Sequence, residues 1–204
     1  MRFTLLIFLS FFPVFLSSQE SARETIEKAL YQYESLDRNP QLVLLEGLLE
    51  KSKKAFNNSS SDTTLAKVYG ALGRWHLDVR EYEPALGFFD EEKLIHETTD
   101  RQAALAVTLT DRAECLIYLN RLKEAEKNLN QSIQINKEPE STNDFRNYRL
   151  LSRILYTKGS YGLQVDYASL ALDLASTPEE KCTALYEIFR GCLLYTSPSP
   201  RDRG

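Results

Sequence analysis

The side chains able to do chemistry are few, and their spacing narrows what they could do. The chain has only two histidines, His76 and His96, and neither stands in a metal-binding pattern. His76 falls on an apolar helical stripe, where a satisfied packing role is expected. The three cysteines, Cys115, Cys182 and Cys192, have no ligand spacing and are too few for a disulfide framework. Cys115 sits in an apolar helical pattern and reads as a small buried hydrophobe. Acidic pairs such as Glu91-Glu92 and Glu179-Glu180 read as solvated faces or helix starts. No glycine-rich phosphate loop follows a strand. Lacking a nucleophile with its base, a pocketed carboxylate pair or a ligand cluster, the segment is expected to be no enzyme and to hold no cofactor or metal. One set remains. Arg146, Arg149 and Arg153 step by three and four, so on a helix they share one face. Guanidinium groups grip carboxylates through two parallel hydrogen bonds, so the chemistry on offer is anion recognition. The competing reading is a solvated face paired with nearby acids such as Glu140 and Asp144.

The elements that must position those residues are helical. Hydrophobic residues make up 43% of the 204 and charged ones 26%, a globular balance. With only 8 Gly and 7 Pro, long regular elements are favoured over turn-rich β structure. The net charge is −4 with both signs interspersed, which argues against a nucleic-acid partner for this segment.

The first residues, MRFTLLIFLSFFPVFLSSQE, carry an early Arg2, an apolar run from Leu5 to Leu16, and small Ser17 and Ser18 before a polar sequence. This pattern reads as a signal peptide over 1–18, cleaved before Gln19. The run is shorter than the roughly 20 residues a membrane span needs, and Pro13 breaks it. Asn57, Asn58 and Asn130 begin N-x-S/T sequons, which matter only in a eukaryotic secretory pathway. The short leader and the repeat style read as bacterial, so the expected location is exported, periplasmic or otherwise extracytoplasmic.

Internal repetition organises the rest. In "LAKVYGALGRWHLDVREYEPALGFFDEEKLI", apolar positions Leu65, Tyr69, Leu72, His76 and Val79 form one helical stripe. A second stripe at Tyr82, Ala85, Leu86, Phe89 and Leu94 follows a tight turn around Arg80-Glu81. Forty places on, Leu122, Ala125 and Leu129 repeat Tyr82, Ala85 and Phe89; forty places back stand Leu42, Leu45 and Leu49. A fourth copy, offset by about one residue, places Gly159 and Tyr161 where Asn120 and Leu122 stood. A further helix is expected to start at Ser176 or Thr177, with Pro178 in its first turn and two acids behind it.

Tyr69, Leu72-Gly73, Tyr82, Ala85 and Phe89 stand at the internal spacings of tetratricopeptide (TPR) repeats, and residues 19–191 resemble that family. The fold this implies is all-α: antiparallel helical hairpins stacked as a TPR-like α-solenoid, about four repeats plus the start of a fifth. His76 and Glu92 depart from the pattern, standing where an aromatic and an alanine are usual, and the forty-residue period exceeds the usual 34. Small Gly73, Ala113, Ala85 and Ala125 would let helix axes approach closely. The resemblance also implies that the first helix of each hairpin lines a binding groove. By register its positions are Lys67, Arg74 and Asp78 in the second hairpin and Thr110, Glu114 and Tyr118 in the third. In the fourth they are Arg146, Arg149, Arg153 and Tyr156. The partner implied is a protein or peptide, and the arginines suit an acidic one. Membrane contact is expected only through the signal peptide or a further C-terminal span.

The ending "CLLYTSPSPRD" resembles a translated transposase mosaic end and sequencing adapter, so 192–204 reads as a non-native tail interrupting the fifth hairpin. The function expected is an exported TPR-like binding scaffold, the periplasmic sensory region of a longer signalling protein with a histidine kinase or helix-turn-helix output. The alternative is a free periplasmic or surface adaptor. An exported enzyme carrying the repeats as an appendage is a third class.

Overall fold

A computed structural model of the chain describes residues 20–33, 36, 38–56, 63–136 and 142–195. The leader read at 1–18 and, of the tail read at 192–204, residues 196–204 lie outside these residues. Among the described residues all regular structure is helical: α1 (20–33), α2 (Arg38–Phe56), α3 (Thr63–Asp78), α4 (Tyr82–Thr98), α5 (Gln102–Tyr118), α6 (Leu122–Ile135), α7 (Thr142–Thr157), α8 (Tyr161–Leu174) and α9 (Pro178–Tyr195). No described helix is long and apolar enough to cross a membrane. The chain forms two compact units, Met1–Asp100 with α1 to α4 and Arg101–Gly204 with α5 to α9.

The forty-residue repeat is visible in how the hairpins turn. After α3, Arg80 takes a left-handed φ of 67°, and the Arg80 and Glu81 amides donate to the carbonyls of Leu77 and His76. Asn120, at φ 58°, and Gly159, at φ 75°, repeat the geometry, with Arg121 donating to Leu116 and Ser160 to Leu155. Each turn thereby satisfies two carbonyls that the helix end would leave bare. The left-handed step costs little at Gly159, is tolerated at Asn120 and strains Arg80. Because the turn is the same three times, each first helix meets its second helix in the same register.

In the first unit the core joins Ile26 of α1, Leu45 and Leu48 of α2, and Val68 and Leu72 of α3. The α3–α4 contact is set by Gly73, whose missing side chain makes room for the fully buried Phe89 ring. The sequence departure at Glu92 is accommodated in the same way. Its carboxylate lies over Gly70, is almost wholly buried, and stands 3.6 Å from His96 Nε2 one turn further along. His76 is mostly buried as the apolar stripe implied. It stacks on Phe88 at 5.2 Å and shares a 2.7 Å contact with Glu81 through Nδ1.

In the second unit apolar packing gathers Phe145 of α7, Ala171 and Ala175 at the end of α8, and Ala184 of α9. Between α5, α6 and α7 the seam is polar. The Thr110 hydroxyl donates to Asn147 Oδ1 (2.7 Å) and Ser132 Oγ donates to the Ala106 carbonyl (2.8 Å). Asn143 and Asn147 each donate a side-chain amide to Ser132 Oγ at 3.0 Å. All of these side chains are buried. Cys115 is also wholly buried, and burial, with Asp111 and Glu114 nearby, pushes its thiol up to about 12, which leaves it inert.

The start of α9 resolves the choice between Ser176 and Thr177. Thr177 Oγ1 accepts from the Glu180 amide, and the Glu180 carboxylate accepts from the Thr177 amide, a reciprocal cap with Pro178 at the first helical position. Ser176 adds its amide and hydroxyl to the same carboxylate, and these bonds hold Glu180 below the usual carboxylate range. The helix runs on to Tyr195, past Gly191, with Leu193 and Leu194 exposed.

Candidate functional site

The first helices α5, α7 and α9 of the second unit bring the arginines together with acids and tyrosines. Arg146, Arg149 and Arg153 share one face of α7, as their spacing requires. Among the described residues their partners lie on another helix. Glu140 lies outside the described residues, and Asp144 instead accepts from Asn136 at 3.2 Å. The arginines face α5. Arg146 Nη2 donates to Asp111 Oδ1 at 2.7 Å and to Glu114 Oε2 at 3.1 Å. Glu114 Oε1 then stands 3.7 Å from Arg149 Nη2 and 3.8 Å from Arg153 Nη1, outside hydrogen-bond reach. One carboxylate thus faces three guanidinium groups.

The aromatic residues complete this surface. Arg153 lies over the Tyr118 ring at 4.9 Å. Arg190 of α9 lies over the Tyr156 ring at 3.9 Å and also pairs with the buried carboxylate of Glu187 at 3.0 Å. A guanidinium stacked on a ring keeps its N–H donors in the ring-parallel plane, pointing outward and able to bond an anion. The arginines are about a fifth to a third exposed, so the site is partly desolvated without being sealed.

Among the described residues the charges at this face do not balance. Arg146, Arg149 and Arg153 are set against Asp111 and Glu114, while Arg190 and Glu187 cancel each other. Burial pulls Arg146 down, but Asp111 and Glu114 outweigh it and its pKa is raised. Arg149 goes the other way. Burial holds it below the ordinary arginine value, its neighbours Arg153 and Arg146 add to this, and Glu114 and Glu187 oppose without compensating. An excess positive charge in a partly desolvated place favours an incoming anion.

Of the positions taken from the repeat register, Glu114, Tyr118, Arg146, Arg149, Arg153 and Tyr156 come together here. Thr110 does not line the surface. It is wholly buried in the polar seam, because its place in α5 faces α6 and α7. Lys67, Arg74 and Asp78 belong to the first unit. Lys67 is half-exposed and bonded to Glu27 of α1 at 2.7 Å, and Arg74 and Asp78 are exposed. Asp111, Glu187 and Arg190 are members that sequence reasoning missed. Asp111, three places before Glu114 on the same helix, carried the only legible signal.

No family model matches the chain, and no curated protein sequence matches it. Solved structures do resemble it. A Podosopora anserina putative kinesin light chain with nearly identical TPR-like repeats has a TM-score of 0.66 at 16% identity, covering 87% of this chain and 88% of that one. A point variant of that same protein gives 0.68 at the same identity and coverage. BtubC (BKLC) from P. vanneervenii gives 0.53 at 12% identity, covering 92% of this chain and 95% of that one. At these identities the likeness carries the fold alone: the chain is an all-α, TPR-like repeat array.

Proposed function

We propose that the chain is an exported protein- or peptide-binding scaffold whose α5–α7 face takes an acidic segment of its partner. The observation that carries this reading is the charge imbalance at that face, three arginines against two acids among the described residues. The net negative charge of the chain as a whole favours a protein partner over nucleic acid. Tyr118 and Tyr156 supply rigid, amphipathic contact area at low entropic cost. Arg146 is anchored to Asp111 and serves the scaffold, which leaves Arg149 and Arg153 to the ligand.

Replacing Arg149 and Arg153 with Ala is expected to weaken binding of a fluorescein-labelled hexaglutamate peptide by at least about tenfold, read by anisotropy, with helical content unchanged. Wild-type binding should also fall as salt rises. Binding that the double change leaves intact, or that ignores salt, removes this face from the site.

Export rests on the Leu5–Leu16 run and the small residues before Gln19. Expression in a secreting host is expected to give a mature chain beginning at Gln19 by intact mass; Met1 retained in a membrane fraction would count against cleavage. Within that reading the scaffold serves as the periplasmic sensory region of a longer signalling protein with a kinase or helix-turn-helix output. The alternative is a free adaptor, and the intact gene distinguishes them by whether an apolar span follows the repeats.

A further inference from the structure

We propose that Glu114 occupies the arginine seat as a built-in stand-in for the ligand's carboxylate, so that binding is an exchange in which the partner's acid replaces Glu114 at Arg149 and Arg153. This rests on the acidic-ligand reading of the α5–α7 face and adds what sets its affinity.

Three observations carry it. Glu114 holds its two groups of partners unequally: Oε2 makes a hydrogen bond to Arg146 at 3.1 Å, while Oε1 stays 3.7 and 3.8 Å from Arg149 and Arg153. Little is therefore lost when those two contacts are exchanged for proper hydrogen bonds to a ligand. Arg146, in contrast, has its own buried acid in Asp111 at 2.7 Å and keeps its place without Glu114. Finally, Arg153 is braced from α5 by the Tyr118 ring at 4.9 Å, a contact made with the face of the ring rather than with a hydrogen-bond acceptor. The repeat register sharpens the point. Forty places before Glu114 stands Arg74, and thirty-nine after it stands Arg153, so the two neighbouring repeats carry an arginine where this one carries an acid.

A resident carboxylate lowers affinity for any single acid, since the incoming charge meets one already present, and it favours acid-rich segments that offer several carboxylates at once. Glu114→Gln keeps the size and the hydrogen-bonding oxygen but removes the charge. The full chain carrying it is expected to bind the hexaglutamate probe about tenfold more tightly than wild type, with a steeper salt dependence. Adding Arg149→Ala and Arg153→Ala to Glu114→Gln should abolish that gain. A Glu114→Ala chain should gain similarly, which separates charge from shape.

The outcomes distinguish the two readings. If Glu114→Gln binds no better, or worse, while the arginine changes still weaken wild type, the seat stands and the stand-in role is overturned: Glu114 is then a prop. If wild type fails to bind but Glu114→Gln binds through Arg149 and Arg153, the stand-in role is supported in its strongest form, a closed seat. If neither binds, both readings fall together.

Discussion

Gly73→Ala is expected to destabilise the first unit by about 2 kcal/mol, a large effect for one added methyl. A Cβ at this position would stand 2.5 Å from Phe89 Cε1, with Cδ1 and Cζ at 2.7 and 2.8 Å. Phe89 is wholly buried, so the ring cannot swing into solvent, and the α3–α4 contact must open instead. Alanine's better helix propensity, worth ~1 kcal/mol, offsets part of the cost. Gly70→Ala is the matched control one turn earlier. There the obstructing atoms belong to the Glu92 carboxylate, the far end of a flexible side chain, so the cost should be smaller. Urea unfolding followed by circular dichroism measures both. Equal losses for the two changes would show that ring rigidity does not set the contact.

That pair of glycines also marks how far the sequence can be read. Gly73, Ala85 and Phe89 are legible because the repeat fixes their mutual register, and small residues beside a large one return forty places on as Ala113, Ala125 and Leu129. Glu92 looks in sequence like a plain departure from the pattern, since the space that admits it comes from Gly70, twenty-two residues earlier on another helix. The arginine face divides along the same line. Spacing places Arg146, Arg149 and Arg153 together, because helical geometry is local. Local rules point to Glu140 and Asp144 for their acids, whereas Asp111 and Glu114 reach them across an interhelical contact that no such rule encodes. Thr110 escapes the register for a related reason. The register identifies a helix position, but the polar seam between α5, α6 and α7 turns that position inward, and a threonine satisfied by Asn147 looks no different in sequence from one facing solvent.

The seam carries the second large effect. Asn147→Ala is expected to destabilise the second unit by about 3 kcal/mol, combining a cavity with broken buried hydrogen bonds. Asn147 is wholly buried and does two jobs: its Oδ1 accepts from Thr110, and its amide donates to Ser132. Without it the Thr110 hydroxyl loses its 2.7 Å acceptor and falls back on the Ala106 carbonyl at 3.0 Å, while Ser132 loses one of two amide donors with no water-exposed side to turn to. Asn143→Ala removes a single bond to the same Ser132 oxygen, from a side chain nearer the surface, and should cost only about 1 kcal/mol. Denaturant midpoints give the comparison, and equal losses for the two asparagines would sink the idea that the double role matters. The consequence reaches the candidate site as well. Arg146 is the neighbour of Asn147 on α7, and the seam holds α7 against the helix that carries Asp111 and Glu114. Well below its melting midpoint the Asn147→Ala chain should therefore still bind acidic peptide, but less tightly than wild type, as the seat loosens from behind.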